Sequence, residues 1–522
     1  MMTTSLSHRA MIAMQWNYGG FLFRTLAGIG VSVVLARLLG PEPFGLIGVA
    51  ALLFGLGNQI ADGGFSSALI QARDLDQRRI RSVFTAQVLI GLSMTVAAYI
   101  SAPLIAGIFH HAGVADVIRQ TAPLFVTQSF GHTATGLLKR RMAFKPVQSA
   151  QIASYIGYAG CATVLALAGY GVQSLIAAQL VQALVYSVCV YAVVRHSVRP
   201  CFDASGAGLL WFGSKITSAN ILNWMISNVD NFVVGRTFGP VSLGLYSRAF
   251  NLASNPSEGF VGAVQQVLFA ACSRVDQNHE RMRRAYVTCV SGVSLVCFPV
   301  FLTCSAASYP IITALYGNRW ADAAPLFCAF TLAMPLFCLM ALAGPVLSAS
   351  DRMNQDIRAQ AVSLGVCAVL VMLASLISVR AVAYSLPIAY AFRFWRVTQP
   401  VLLLLRLRWS DVWDVVAGPA WAGLFTAGCV YVTANLIAAV GGVTGGLLLG
   451  VLSLVGASAF FVILVTAAGA IVPWPIWRLV GNSSEFIPAP VASLLARFGG
   501  DKMRVADQLD CRSTGVQAER AS

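Results

Sequence analysis

Charge is what this chain has least of. Only 11% of its 522 residues are Asp, Glu, Lys or Arg, against about 25% in an ordinary soluble domain. A deficit of that size excludes a single water-soluble core. The phosphate-binding pattern G-x-x-x-x-G-K-[ST] is missing too, as is any soluble stretch able to form a nucleotide-binding domain, so ATP hydrolysis within this chain is not expected. The twelve cysteines include no C-x-x-C pair and no Cys/His ligand spacing. Most sit inside apolar runs (Cys161, Cys189, Cys289, Cys297 and Cys367 among them) and read as small apolar packers. His110 and His111 lack a third ligand nearby, so no metal or other cofactor is expected. No Ser/His/Asp or paired-carboxylate constellation lies outside the apolar runs, and an enzyme is not expected. The N-terminus lacks a cleavable leader pattern, and its first apolar run is long enough to remain as a span.

What the chain has instead is hydrophobic length. Fifty-seven per cent of its residues are hydrophobic and the mean hydropathy is +0.73. Apolar runs lie near 12–37, 43–65, 82–108, 117–137, 147–168 and 172–194, and after a polar break at 195–208 near 209–235, 242–272, 285–315, 323–348, 359–378, 382–405, 415–439 and 443–472. Each suffices for a membrane helix of about 20 residues. The expected fold is an all-α polytopic membrane protein of about fourteen transmembrane helices.

The net charge of +15 raises a nucleic-acid reading, but the distribution of the basic residues favours topology. With the N-terminus in the cytoplasm, 25 Lys and Arg fall on inside segments and 5 (Arg37, Arg119, Arg236, Arg319 and Arg380) at the outside, with 5 more in spans. That asymmetry follows the positive-inside rule and places both termini in the cytoplasm.

The opening hairpin is written twice. LARLLGPEPFGL (35–46) returns as VGRTFGPVSLGL (234–245), with Arg37, Gly40, Pro41 and Gly45 answered by Arg236, Gly239, Pro240 and Gly244 at an offset of 199. SAPLIAGIF (101–109) answers SYPIITALY (308–316), APLF recurs at 122–125 and 324–327, and Gln151 lies where Gln360 does. The first twelve spans therefore read as two homologous six-helix lobes, 1–194 and 209–408, joined by a cytoplasmic loop at 195–208. A hairpin at 409–472 and a cytoplasmic tail at 473–522 follow. Transporters built from repeats place their substrate between the halves, in a central cavity. The last hairpin, rich in small-xxx-small patterns at Gly441, Gly442, Gly445, Gly446 and Gly450, is either a lipid-exposed accessory or part of a groove for a lipid tail.

Ionisable groups inside spans mark candidate sites, since burying them in hydrocarbon is costly. Arg24, Lys215, Arg248, Arg393 and Arg396 are the basic ones; Asp62, Asp230 and Glu258 are the acidic ones. Arg24 is too far from either end of its run to snorkel, so it either pairs with a carboxylate such as Asp62 or faces water and binds an anion. Arg393 and Arg396 share a helix face and suit a diphosphate, or else extend the inner positive band. The carboxylates could carry H⁺ or Na⁺, or balance the nearby cations. Asn220, Asn223, Asn228, Asn231, Asn251 and Asn255 could bond sugars or join helices.

LARLLGPEPFGLIGVA, GSKITSANILNWMISNVDNFVVGRTFGPVSLGLYSRAFNL and ITALYGNRWADAAPLF together resemble the Wzx-type polysaccharide and O-antigen flippases of the multidrug/oligosaccharidyl-lipid/polysaccharide exporter superfamily. The resemblance spans roughly residues 10 to 405. It implies a bacterial inner-membrane flippase that moves an undecaprenyl-diphosphate-linked oligosaccharide to the periplasmic leaflet for exopolysaccharide or lipopolysaccharide synthesis. The headgroup would be handled by a cationic lumen, here Arg24, Lys215, Arg248, Arg393 and Arg396. The implied partners are that lipid-linked oligosaccharide, membrane lipids, H⁺ or Na⁺, and polysaccharide polymerase and export machinery; no nucleic acid is implied. An ion-coupled multidrug antiporter of the same superfamily and a lipid II flippase are the alternatives. A membrane polymerase or ligase fits less well, because the outside loops are short.

Overall fold

A computed structural model of the protein describes residues 6–62, 69, 76–141, 143–201, 207–273, 279–350 and 352–440, with side chains for most of them. Every regular element among these residues is a helix. In chain order they are α1 (Leu6–Leu39), α2 (Pro41–Asp62), α3 (Gln77–Ile108), α4 (Gly113–Thr121), α5 (Leu124–Arg140), α6 (Phe144–Leu167), α7 (Val172–Val194) and α8 (Ala207–Ser273). There follow α9 (His279–Ala306), α10 (Ser308–Tyr316), a 3₁₀ turn (Asn318–Trp320), α11 (Ala323–Met340), α12 (Ala343–Ala349), α13 (Met353–Ser375), α14 (Val379–Leu405) and α15 (Trp409–Val440). Among the described residues, eight helical segments are long and apolar enough to cross a membrane, and the described parts of the first thirteen apolar runs fall on helix but for short turns. The fourteenth run, 443–472, and the tail lie outside the described residues.

Glycine and proline set the breaks. α1 stops at Gly40, whose φ of +73° is a backbone conformation that side chains disfavour. Pro41 then opens α2, at the first helical position, where its missing N–H costs no hydrogen bond. The second copy does the same inside α8, whose two arms meet at Gly239 (φ 80°, ψ 179°), a region open almost only to glycine. Elsewhere, the Asp76 carboxylate accepts from the Gln77 N–H at 2.7 Å and so caps α3.

The chain divides into two compact units. The first holds the described residues up to Asn255 together with Leu315–Leu326 and Ala368–Ala383; the second holds Pro256–Ala314, Phe327–Cys367 and the described residues from Tyr384 on.

In the first unit the two copies of the hairpin meet each other. A Cβ built on Gly45 would run into the Pro240 carbonyl oxygen, and one built on Gly244 would run into the Pro41 carbonyl oxygen. The contact is reciprocal: each copy's glycine admits the other copy's proline backbone. Small residues at helix crossings permit such approaches, which gain dispersion contacts that larger side chains would prevent. Trp320, fully buried, locks the first hairpin from the side. Its indole Nε1–H donates to the Ala36 carbonyl at 2.9 Å and its ring lies edge-on to Phe44 at 5.7 Å. Arg37 Nε donates to the Leu315 carbonyl at 2.9 Å. This part of the repeated motif is therefore structural.

In the second unit α15 packs along α9. Gly423 faces the Phe298 backbone at a point where a Cβ would be too close, and Thr303 donates to Thr426 at 3.2 Å nearby. Gln265 Nε2 donates to the Ala341 carbonyl at 2.6 Å and ties α8 to the break between α11 and α12.

Candidate functional site

A cavity of about 640 Å³ opens within the first unit. One face of α1 contributes Arg24, Gly28, Ser32 and Leu35, which recur every three or four residues as a helical stripe must. α2 adds Asn58, and α5 adds Gln128 and His132. α6 supplies Gln151, Ser154, Tyr155 and Tyr158, α7 supplies Gln179, Gln182 and Tyr186, and α8 supplies Arg248. No carboxylate is among the described residues of the lining. The cavity is cationic, and its remaining polar groups are neutral amides, hydroxyls and one imidazole.

The two arginines stand at different heights. Arg24 Nε donates back to the Gly20 carbonyl at 3.3 Å. Arg248 Nη1 donates to Ser32 Oγ at 3.4 Å. Ser32 follows Arg24 by eight residues, about 12 Å along α1. Arg248 also sits over the Phe44 ring, with its Cζ 4.1 Å from the ring centroid. Its Nε is buried with no acceptor among the described residues. No ion pair among the described residues involves Arg24 or Arg248. A desolvated guanidinium with an unused donor suits an anionic group that arrives from outside the fold, since leaving such a charge unpaired is costly.

The aromatic and amide lining is ordered by local bonds. Tyr155 and Tyr158 stack at 5.7 Å between centroids with a 28° interplanar angle. The Tyr186 hydroxyl pairs with Thr135 Oγ1 at 3.0 Å, and His132 Nε2 pairs with Asn58 Oδ1 at 3.3 Å. Sequence reasoning passed over these residues because each is uncharged. Their signal was spacing: Gln151, Tyr155 and Tyr158, and again Gln179, Gln182 and Tyr186, lie on single helix faces.

The other expected site residues lie as follows. The side chains of Asp62 and Lys215 are outside the described residues, so the Arg24–Asp62 pairing is not tested. Arg393, in the second unit, donates to Gln360 Oε1 from Nε at 2.9 Å and from Nη2 at 2.6 Å. Arg396, three residues on, is half-buried. Asp230 is buried and accepts from the fully buried Tyr246 hydroxyl at 2.8 Å, a bond that ties one arm of α8 to the other across Gly239. Glu258, in the second unit, is exposed. Arg37 and Arg236, with the paired glycines and prolines, belong to the hairpins described above.

A family model described as "Polysaccharide biosynthesis protein" matches residues 34–325, more than half of the chain. The chain belongs to the polysaccharide biosynthesis protein family. The match contains both hairpin copies and Arg248 but not Arg24. Among the chain's relatives, the succinoglycan biosynthesis transport protein ExoT of Rhizobium meliloti is 30% identical over 302 residues, 58% of this chain and 61% of that one. The lipopolysaccharide biosynthesis protein WzxC of Escherichia coli is 23% identical over 325 residues, 62% of this chain and 66% of that one. The match thus spans less than two thirds of either relative's own length. In fold, the chain is similar to the lipid II flippase MurJ in its inward closed conformation (TM-score 0.69, 16% identity, covering 86% of this chain and 98% of that one). It is also similar to an inward-facing multidrug resistance MATE family transporter of the MOP superfamily (TM-score 0.56, 16% identity, covering 73% and 96%). The resemblance to Wzx-type polysaccharide proteins stands, and the chain is a multi-pass membrane protein.

Proposed function

We propose that this protein is a flippase that carries a lipid-linked oligosaccharide, joined through a diphosphate such as undecaprenyl diphosphate, across the bacterial inner membrane for polysaccharide assembly. The observation that carries this reading is the cavity holding Arg24 and Arg248, with no carboxylate among the described residues of its lining. The cargo's headgroup is bulky, hydrated and anionic, and would lose its hydration in the hydrocarbon. A polar cavity with fixed cations removes that barrier without making or breaking a covalent bond. Neutral amides and stacked tyrosines are suited to sugar hydroxyls and sugar C–H faces respectively. The names of ExoT and WzxC point to the same process. Movement would follow alternating exposure of the cavity by the two repeat lobes, with both termini cytoplasmic. An antiporter for cationic drugs would be served by carboxylates in the lumen, and the described residues of this lining offer two arginines instead.

The test is a sidedness assay in proteoliposomes. Purified protein receives a lipid-linked oligosaccharide, and a membrane-impermeant probe reads its arrival on the far leaflet. Wild type moves the lipid, while Arg24→Ala and Arg248→Ala slow it by about tenfold or more, the loss of a charge-assisted contact. Transport indifferent to both substitutions would remove the cavity from the mechanism. No lipid movement, with a cationic dye exchanged against a proton gradient instead, would overturn the flippase reading.

A further inference from the structure

A second, smaller cavity of about 240 Å³ lies in the first unit between α2 and the two arms of α8. It is built where the two hairpin copies face each other. Phe44 and Leu243, Gly48 and Ser247, and Leu52 and Asn251 all line it, and each pair is related by the offset of 199. The copies are matched in position but not in chemistry. The first supplies a ring, a glycine and an aliphatic chain, whereas the second keeps one aliphatic chain, Leu243, and adds a hydroxyl and an amide, joined by Asn228 and Asn231 of the first arm of α8. The whole lining falls inside the stretch matched by the family model.

Two of the amides donate within their own helix. Asn228 Nδ2 donates to the Trp224 carbonyl at 2.9 Å, one turn back on its own helix. Asn231 Nδ2 donates to its neighbour Asp230 at 3.4 Å. Neither bond reaches α2. Among the described residues Arg248 is the one charged residue in this lining, and it lines the larger cavity as well. The two spaces thus share a guanidinium whose buried Nε has no acceptor among the described residues.

We infer that the smaller cavity is a binding site for a single sugar ring, the one attached directly to the diphosphate, with Arg248 holding phosphate oxygens at the junction of the two cavities. This rests on the flippase reading above. A pyranose presents hydroxyls around its edge and C–H groups on its faces, so it needs amides on one side and an apolar wall on the other, as here. The space is smaller than the roughly 300 Å³ at which drug-sized ligand sites begin, which suits one ring and not a chain. The remaining sugars of the cargo occupy the larger cavity, along the stacked tyrosines.

The experiment compares initial flipping rates in proteoliposomes for two lipids, a polyprenyl diphosphate carrying one hexose and the same polyprenyl diphosphate without sugar. Wild type moves the sugar-bearing lipid about tenfold faster, the effect of two or so hydrogen bonds. The double variant Asn231→Leu, Asn251→Leu brings that ratio close to one. Ala51→Phe, which fills the space from the apolar side and removes no polar group, does the same and serves if the double variant fails to fold. A wild-type ratio of one, or a ratio above one that either folded variant leaves intact, overturns the sugar site while the flippase reading stands. Wild type that moves neither lipid overturns both.

Discussion

Arg248 is the residue whose chemistry can be separated most cleanly from the fold. It is held by one long hydrogen bond to Ser32 and by the Phe44 ring, so its charge is poorly compensated. Replacing a buried, incompletely paired charge by an apolar side chain of similar length is often neutral or stabilising. Arg248→Met is therefore expected to leave unfolding free energy unchanged or raise it by about 1 kcal/mol, read by thermal denaturation in detergent, while flipping collapses. Asp230 gives the opposite pattern. Asp230→Ala strands the Tyr246 hydroxyl and costs about 1–3 kcal/mol, whereas Asp230→Asn keeps an acceptor and costs less. If Asp230→Asn instead abolishes transport with stability intact, the carboxylate carries a proton or cation. His196, just past α7, is wedged between Phe84 and Tyr191, and burial pushes its imidazole below the usual value. The folded state thus favours the neutral ring, so stability is lost as pH falls through the unfolded value near 6.5. His196→Phe should flatten the fall in Tm between pH 7.5 and 5. Arg24 and Arg248 were legible in the sequence because a charge within an apolar run has no bland surroundings to hide in. Gln179, Gln182 and Tyr186 were not, because neutral polar residues in membrane helices commonly serve packing as well as binding.

At the scale of the element, the repeated hairpin makes a sharp distinction between strain and collision. Gly40 has open space around its Cβ position but a φ of +73°. Gly45 is helical and faces the Pro240 carbonyl oxygen. Gly40→Ala should cost about 1 kcal/mol, whereas Gly45→Ala, and equally Gly244→Ala, should cost about 3 kcal/mol or prevent accumulation of folded protein. Thermal unfolding of the three variants, with expression level for those that fail to accumulate, checks the order. The hairpins themselves were visible in the sequence because Gly-Pro between two apolar runs has few other readings. That the copies touch each other was not, since a repeat records common ancestry and not who packs against whom.

For the whole molecule, the positive-inside count makes a testable map. With both termini cytoplasmic, a cysteine placed at His110 should react with an impermeant maleimide from outside intact cells. One placed at Lys139 should react only after permeabilisation, in a background with the native cysteines replaced. Reversal of the two would invert the topology and the direction of transport inferred from it. Span positions were readable because 20-odd apolar residues have few alternatives in a polytopic chain. Cavity shape was not, because it depends on crossings set by single small residues such as Gly45 and Gly244.

The reciprocal contact, Gly45 on Pro240 and Gly244 on Pro41, follows the rule of an isologous dimer interface, in which i meets j and j meets i. A true homodimer of such hairpins would repeat every substitution on both sides of its two-fold axis. The position of Arg248 would then carry two guanidiniums beside the same small cavity, each needing desolvation and each repelling the other, or none. Joined in one chain, the second copy holds Arg248 while the first holds Val49 at the equivalent place. Covalent fusion is thus what permits a single charge at the meeting point of two related halves, and with it a cavity that is greasy on one side and polar on the other.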